Sequence, residues 1–174
     1  MIYLANHKEL IDKQSEKSKQ MHRGKEFYAL SKIGPYTFAD YIVAARDNSK
    51  FCASVIKKET TPWNEEKQVI CVKHTIIISQ DKNNRFINED EAYYICGILN
   101  SEIVQQYIQT TFKSNGFSLN KSNLYMPLYD QNNKNHKQIV EIAKFASTNK
   151  GYDLLDVQNK LMILYLAICD EKKI

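Results

Sequence analysis

Short apolar runs alternate with turn residues from Glu26 to about Gln80. The runs are rich in β-branched and aromatic residues, and they read FYALSKI, FADYIVAA, KFCASVI, QVICV and HTIIIS. Turn-forming residues punctuate or bound them, namely Gly34-Pro35, Asp47-Asn48, Thr61-Pro62 and Lys82-Asn83-Asn84. This pattern predicts strands joined by turns, in a mostly antiparallel sheet over about residues 26–80. The continuous apolar run TIII at residues 75–78 is typical of a central strand covered on both faces.

A corner is expected where the segment KIGPYTFADYIVAARDN, residues 32–48, begins. Gly34-Pro35 predicts a tight turn, because proline fixes φ and glycine tolerates backbone angles that other residues avoid. Alternation then divides the next six residues between two faces, with Tyr36, Phe38 and Asp40 on one and Thr37, Ala39 and Tyr41 on the other. We expect at least one of these aromatic rings to pack the corner onto the core.

From Asn88 onward the apolar residues recur with the period of a helix. Asn88 followed by Glu91 three residues later is an N-terminal cap signature. One helical face then carries Ala92, Ile95, Cys96, Leu99 and Ile103. We therefore expect one helix that runs to about Phe112, followed by a polar loop over residues 113–123.

Two further helices are expected after a short β segment. The stretch LYMPLY, residues 124–129, is extended, and Pro127 restricts it to an edge or a strand end. The next helix has an apolar face of Ile139, Ile142, Ala143 and Ala146, and it stops near Gly151. The last helix covers about residues 154–169. Its run LMILYLAIC is apolar nearly all round, so it is either buried in the core, which we favour, or covered by a partner.

The order of the elements, strands first and helices after, favours an α+β fold over a wound α/β fold. Residues 2–21 are polar and rich in Lys, Glu and Gln, which indicates a solvated helix or arm. We therefore expect a helical arm or lead-in over residues 1–25 and a single domain over residues 26–174. A chain of 174 residues is about the size of one domain.

Composition and charge narrow the class of protein only a little. Hydrophobic residues make up 43% and charged residues 25%, as in a soluble globular protein. A net charge of +4 permits a phosphate-backbone partner without demanding one. The first residues lack the layout of a signal peptide, and the run at residues 161–169 is far short of the roughly 20 residues that span a bilayer. We expect a cytoplasmic protein without a membrane partner.

Catalytic and metal-binding motifs are absent from the sequence. None of the five glycines belongs to a G-x-G-x-x-G or P-loop pattern, and neither G-x-S-x-G nor H-E-x-x-H occurs. The four cysteines form no C-x-x-C pair, so we expect small buried thiols in a reducing compartment and no zinc site. Asp47 with Glu65 and Lys67 can be forced into the pattern of a Mg²⁺-dependent nuclease, which leaves a small nuclease as a remote alternative. Otherwise the chain is expected to bind rather than catalyse.

Three segments carry a resemblance to a known family. They are FYALSKIGPYTFADYIVAARD at residues 27–47, EAYYICGILNS at residues 91–101 and YMPLYDQNNKNH at residues 125–136. Together they resemble, in order and spacing, the C-terminal target-recognition region of N6-adenine DNA methyltransferases of restriction–modification systems. That group includes TaqI-like specificity domains and fused restriction–methylation enzymes. The resemblance extends over about residues 27–146, and its first two segments are the specific ones.

The resemblance implies sequence-specific binding of double-stranded DNA opposite a catalytic domain. The catalytic half of such an enzyme carries a glycine-rich S-adenosylmethionine motif and an Asn-Pro-Pro-Tyr/Phe motif. Neither is present, since Pro35, Pro62 and Pro127 are the three prolines and none is adjacent to another. The chain is therefore expected to be no enzyme by itself and to hold no cofactor. S-adenosylmethionine would bind in a methyltransferase catalytic domain or subunit, which is the second expected partner.

Three groups of residues are candidates for contacting DNA. Cations would meet phosphates, while an arginine can bind guanine and an asparagine adenine at the base edges. The first group is a strand end and turn with Arg46, Asn48 and Lys50. The second is Lys73 and His74, between two strands. The third is the loop at residues 113–123, with Lys113, Asn115, Phe117, Asn120 and Lys121.

Each group also has a structural interpretation. The first and second can be solvated turns, and the third a connection whose Phe117 returns to the core. For the whole chain, the alternative is a protein-interaction or scaffold module of a restriction–modification complex that does not touch DNA.

Overall fold

The computed structural model describes residues 8–9, 34–46, 51–71, 75–112 and 122–171. The chain divides into two units, Met1–Pro35 and Tyr36–Ile174, and the architecture given below is that of the second. Of the arm expected over residues 1–25, Lys8 and Glu9 are described and are helical, and the rest lies outside the described residues. The predicted domain division therefore stays a prediction.

Three antiparallel strands form the main sheet, in the order β2-β1-β5. Strand β1 is Ile42–Arg46, β2 is Cys52–Ile56 and β5 is Thr75–Ile78. The middle strand β1 is the best buried, since Val43 and Ala45 are 0% and 1% exposed. The predicted antiparallel arrangement and the α+β fold class are confirmed.

The expected position of the TIII run was wrong. Strand β5 lies at an edge of the described sheet, and its four residues are half-buried rather than covered on both faces. A continuous apolar run fits any strand whose two faces are both partly covered, so it does not determine strand order. The expected run QVICV also differs, because its described residues 68–71 form no strand.

Two short turns share one geometry. Strands β3 (Glu59–Thr60) and β4 (Glu66–Lys67) form a hairpin whose tip is Pro62–Asn64, with Trp63 69% exposed. Asn64 has a φ of 67°, and Asn84 in the turn after β5 has a φ of 62°. Asparagine tolerates this left-handed conformation better than most residues, which explains its place in both turns. The turns predicted at Thr61-Pro62 and at residues 82–84 are confirmed.

The corner before β1 is a short 3-10 helix, Pro35–Phe38, rather than an extended strand. Its predicted faces nevertheless differ in burial. Thr37 and Ala39 are buried, whereas Phe38 is 55% exposed. Tyr41 packs against the core, as was expected of at least one aromatic ring near this corner.

Four helices follow the sheet in the described part of the chain. They are α1 (Glu89–Asn100), α2 (Glu102–Thr111), α3 (Lys134–Thr148) and α4 (Leu154–Glu171). The N-terminal cap predicted for α1 is confirmed as a capping box in which Asn88 and Glu91 bond each other's backbone amides. Of the described helices, none is long and apolar enough to cross a membrane.

The single helix expected up to Phe112 is interrupted at Ser101. Its ψ of 146° is extended, and both its amide and its hydroxyl donate to the Ile98 carbonyl, at 3.1 and 2.7 Å. Serine competes with the helical backbone in this way, so it favours helix ends. The β segment expected over residues 124–129 is also wrong, because these residues form no strand. Tyr165 instead holds it by donating to the Tyr125 carbonyl at 2.6 Å.

The core lies between the sheet and the helices, with α1 at its centre. Helix α1 packs against the sheet on one side and against α3 and α4 on the other. Tyr94, Ile98 and Leu99 on α1 are at most 1% exposed. Helix α4 buries Val157, Leu161, Tyr165 and Ile168, so the favoured core burial holds for one face. Its opposite face exposes Ile163 by 63% and Leu166 by 40%.

Candidate nucleic-acid interface at one end of the sheet

Arg46 is the last residue of the central strand and marks one end of the sheet. It is directly opposite Cys52, the first residue of β2, and Thr75, the first residue of β5. The Cα atoms of directly opposed residues in antiparallel strands are about 4.5–5.5 Å apart. Each of the three strands therefore begins or ends on this side of the sheet, which we call the Arg46 end.

The side chain of Arg46 is exposed. It forms no hydrogen bond or ion pair with the residues that the structure describes. Some other described cations are paired with carboxylates: Arg85 binds Asp81 and Glu91, and Lys144 binds Glu89 and Asp90. Within the described ranges, the guanidinium of Arg46 is thus available for an anion.

The rest of the first predicted group and the whole of the second are joined covalently to the Arg46 end. Asn48 and Lys50 belong to the segment that connects Arg46 to the buried Phe51, and Lys73 and His74 directly precede Thr75. All four residues lie outside the described residues, so their predicted roles stay predictions. The segments that contain these residues carry two lysines, Lys50 and Lys73, and one aspartate, Asp47.

The third predicted group also lies outside the described residues. Lys113, Asn115, Phe117, Asn120 and Lys121 follow Phe112 and precede Ser122. Both described ends of this loop are held at Tyr107. The ring of Phe112 lies edge-on to that of Tyr107 at 6.2 Å between centroids, and the Tyr107 hydroxyl accepts from the Asn123 amide at 3.1 Å. No contact among the described residues brings these ends to Arg46.

Helix α1 fixes the Arg46 end through Asn100. The side-chain Oδ1 of Asn100 accepts from the Ala53 amide at 3.0 Å, and its Nδ2 donates to the Ala53 carbonyl at 2.8 Å. The amide thus takes the place of a neighbouring strand at the outer edge of β2. Because Ala53 pairs with Ala45, the residue before Arg46, this bond holds the backbone directly below the candidate interface.

A buried thiol completes the contact between α1 and β2. The Cys96 Sγ lies 3.4 Å from the Ala53 carbonyl, and burial raises the pKa of Cys96 to about 12. A thiol held protonated in this way is a poor nucleophile and metal ligand. The expectation of buried cysteines is confirmed for Cys96 but wrong for Cys52, which is exposed because it begins an edge strand.

The acidic residues near α1 serve the structure. Arg85 donates to both carboxylate oxygens of Glu91, at 3.0 and 2.5 Å, and its Nε donates to Asp81 at 3.2 Å. The hydrogen bonds from Arg85 are the main reason that the pKa of Glu91 lies below its ordinary value. These contacts tie the turn after β5 to the first turn of α1.

The described residues give no geometric support to the remote nuclease pattern of Asp47, Glu65 and Lys67. Glu65 and Lys67 lie on the β3–β4 hairpin and form an exposed ion pair with each other at 2.8 Å. Asp47 lies outside the described residues. Among the residues that the structure describes, no group of three or more His, Cys, Asp or Glu side chains could hold a metal ion.

Compared with models of known protein families and with curated proteins, the sequence matches none. The resemblance to target-recognition domains therefore rests on its three segments. The structure gives physical roles to residues of the second, since Gly97 lies at a helix crossing and Asn100 holds β2.

One exposed surface was not predicted from the sequence. Phe145 is 54% exposed on α3 beside the start of α4, where Leu154 and Leu155 are 51% and 58% exposed. Phe145 falls outside the apolar face of Ile139, Ile142, Ala143 and Ala146 that identified α3. A large apolar residue beyond the core-facing stripe was the signal that could have revealed this surface.

Proposed function

We propose that this chain is a duplex-DNA target-recognition domain of a restriction–modification adenine-N6 methyltransferase. The Arg46 end is its DNA-contacting surface, and the loop of residues 113–121 is a second contact. The chain supplies binding and no catalysis. S-adenosylmethionine belongs to a separate methyltransferase catalytic domain or subunit, which is the chain's protein partner.

The proposal is carried by one observation, the exposed guanidinium of Arg46 at the end of the central strand without a described anionic partner. A guanidinium in such a place can bind a phosphate or the O6 and N7 atoms of guanine in a bidentate manner. The strands on both sides begin at this end, so Lys50 and Lys73 are joined to the same edge of the sheet. Their charges favour a polyanion there.

The division of labour follows from the chemistry of each residue. Lysines neutralise phosphates and set affinity without reading sequence, while Arg46 and Asn48 have the donor and acceptor geometry to read guanine and adenine. The paired backbone of Ala45 and Ala53 supports Arg46 at the end of its strand, and Asn100 on α1 is hydrogen-bonded to Ala53.

A pair of matched variants tests the surface. Lys57 directly follows β2, whose last residue Ile56 is opposite Ile42, so it lies at the other end of the same sheet. Lys57 is also exposed and forms no ion pair with a described residue. Arg46→Gln and Lys57→Gln each remove one positive charge, and binding to a randomised pool of duplexes is measured for both at low salt.

We expect Arg46→Gln to weaken binding by about 1–3 kcal/mol if Arg46 reads a base, with relaxed preference at one position of the selected sequences. If it contacts a phosphate, binding weakens for all sequences and the salt dependence becomes shallower. Lys57→Gln should bind like the unmodified chain. Equal weakening by both substitutions, or by neither, would contradict the assignment of the DNA surface to the Arg46 end.

The alternative, a protein-interaction module without DNA contact, is favoured by the exposed apolar residues of α3 and α4. It predicts no measurable affinity for duplex DNA even at low salt. It does not require a free cation at the end of the sheet, so Arg46→Gln would leave its partner binding unchanged.

A further inference from the structure

A groove of about 250 Å³ lies between α3 and the beginning of α4. Its apolar lining is Ile142, Phe145, Tyr152 and Val157. Val157 is 7% exposed and belongs to the core, whereas Phe145 is 54% exposed and forms a side of the groove. Small-molecule sites usually start at about 300 Å³, so this volume fits one or two apolar side chains of another polypeptide better than a whole ligand.

The charged residues around the groove are mostly acidic. Glu141, Asp153 and Asp156 line it together with a single cation, Lys160. Lys160 is bound to Asp156 at 2.6 Å, and one oxygen of Asp153 accepts from the amides of Leu155 and Asp156 at the start of α4. Glu141 is exposed and forms no ion pair among the described residues. The groove therefore repels phosphate, although the chain as a whole carries a charge of +4.

An apolar stripe extends the groove along α4. Ile163 follows Lys160 by three positions, so it lies one turn further on the same helical face, and it is 63% exposed. At the other end Leu155 is 58% exposed. Leu155 and Ile163 are eight residues apart, about 12 Å or a little over two turns along the helix, and both lie beside the lining of the groove rather than in it.

We propose that this groove docks a basic amphipathic helix of a partner polypeptide. An apolar side chain of that helix would insert beside Phe145, and its lysines or arginines would face Glu141, Asp153 and Asp156. Helices commonly bind to other proteins in this manner, with anchors in an apolar groove and charges at its rim. The proposal does not rest on DNA binding, and its test contains no DNA.

The test uses two helical peptides with the same pattern of leucines, one with lysines and one with glutamates at its polar positions. Each peptide is titrated into the full chain, and backbone amide chemical shifts are followed by NMR. We expect the lysine peptide to bind saturably, with shifts concentrated at residues 141–145 and 152–160, and the glutamate peptide not to bind.

Matched variants then locate the contact. Phe145→Ala removes the groove's exposed ring, and Phe38→Ala removes a ring that is 55% exposed elsewhere. We expect Phe145→Ala to weaken binding of the lysine peptide by about tenfold, as for an anchoring residue, and Phe38→Ala to leave it unchanged. Glu141→Lys should weaken binding as well, and the effect should shrink as salt rises.

Several results would overturn the proposal. They are shifts spread over the surface, equal binding of the glutamate peptide, or unchanged affinity in Phe145→Ala. Sedimentation of the chain alone tests the other possible occupant of the groove, which is a second copy of the chain. A dimer that Phe145→Ala dissociates would show that the groove pairs two copies, and it would replace the basic helix as the partner.

Discussion

His136 is a buried histidine whose tautomer is determined by a backbone bond. Its Nδ1 accepts from the Asp130 amide at 2.9 Å, so the proton of the neutral ring is on Nε2, which lies 3.3 Å from the Tyr94 hydroxyl. The ring is 4% exposed and also stacks against Tyr129. It therefore links the segment before α3 to helix α1, and this contact gives the histidine that ends the third family-like segment a structural role.

The first prediction concerns the pH dependence of stability. Burial lowers the pKa of His136, although the nearby charges of Glu171 and Asp130 act in the opposite direction. The unfolded chain then binds a proton more readily than the folded chain. The free energy of unfolding should therefore fall as pH drops below the ordinary histidine value of about 6.5, by at most about 1.4 kcal/mol per unit.

Urea unfolding from about pH 7.5 to about pH 5.5 measures this effect. His136→Gln is the control, because glutamine does not titrate and the other histidines remain in both proteins. The decline in stability with falling pH should be shallower in the variant. Parallel curves for the two proteins would show that His136 does not titrate abnormally.

At the scale of the elements, helix α1 carries most of the second family-like segment. Its residues divide by face: Cys96 and Asn100 meet β2, while Gly97 meets α3 and α4. A Cβ atom at Gly97 would lie 2.5 Å from Ile139 Cγ2 and 3.3 Å from Leu161 Cδ2. Glycine is required here because the helices cross too closely for a side chain.

Gly97→Ala should therefore destabilise the fold. Overpacking costs about 1–3 kcal/mol, and it outweighs the gain of up to about 1 kcal/mol from the better helix propensity of alanine. Midpoints of urea unfolding give the difference. In an Ile139→Ala background the obstructing methyl group is gone, so the same substitution should be neutral or stabilising. An equal loss of stability in both backgrounds would show that the effect of Gly97→Ala does not arise at the helix crossing.

Local signals predicted most elements, and long-range contacts decided the rest. Neighbouring residues encode the Asn88 cap, the turns at Thr61-Pro62 and residues 82–84, and the apolar face of α3. The end of α1 carries a contact that no local pattern predicts, since Asn100 bonds Ala53 across 47 positions of the chain. The periodic pattern of apolar residues on α1 continues across Ser101 into α2, so it does not predict the break. The edge position of β5 likewise follows from strand order, which an apolar run does not specify.

At the scale of the whole molecule, the described part of the chain carries two different candidate surfaces. The Arg46 end offers an unpaired guanidinium and adjoins two lysine-bearing segments, whereas the α3–α4 groove is apolar and acidic. The first suits a polyanion and the second a basic polypeptide. A recognition domain that must contact DNA and a catalytic partner at once needs two such surfaces.

The candidate sites differ in how far the sequence predicts them. Arg46 was predicted at a strand end, because an apolar run stops there and turn residues follow. Its place between two other strand ends depends on the register of β1 with β2 and β5. The position of Phe145 outside the apolar stripe of α3 was a sequence signal for the groove, but the shape of the groove arises where two helices meet across a short loop. Nine of the ten predicted DNA contacts lie outside the described residues and stay predictions.

The most direct measurement of the central claim is the affinity of the chain for duplex DNA over a series of salt concentrations. Each phosphate contact contributes about −0.9 to the slope of log K against log salt concentration. If Lys50 and Lys73 each neutralise one phosphate, the slope is about −1.8 or steeper, and a phosphate contact by Arg46 would add about −0.9. A slope near zero, or no binding at the lowest salt concentration, would contradict the proposed recognition of DNA.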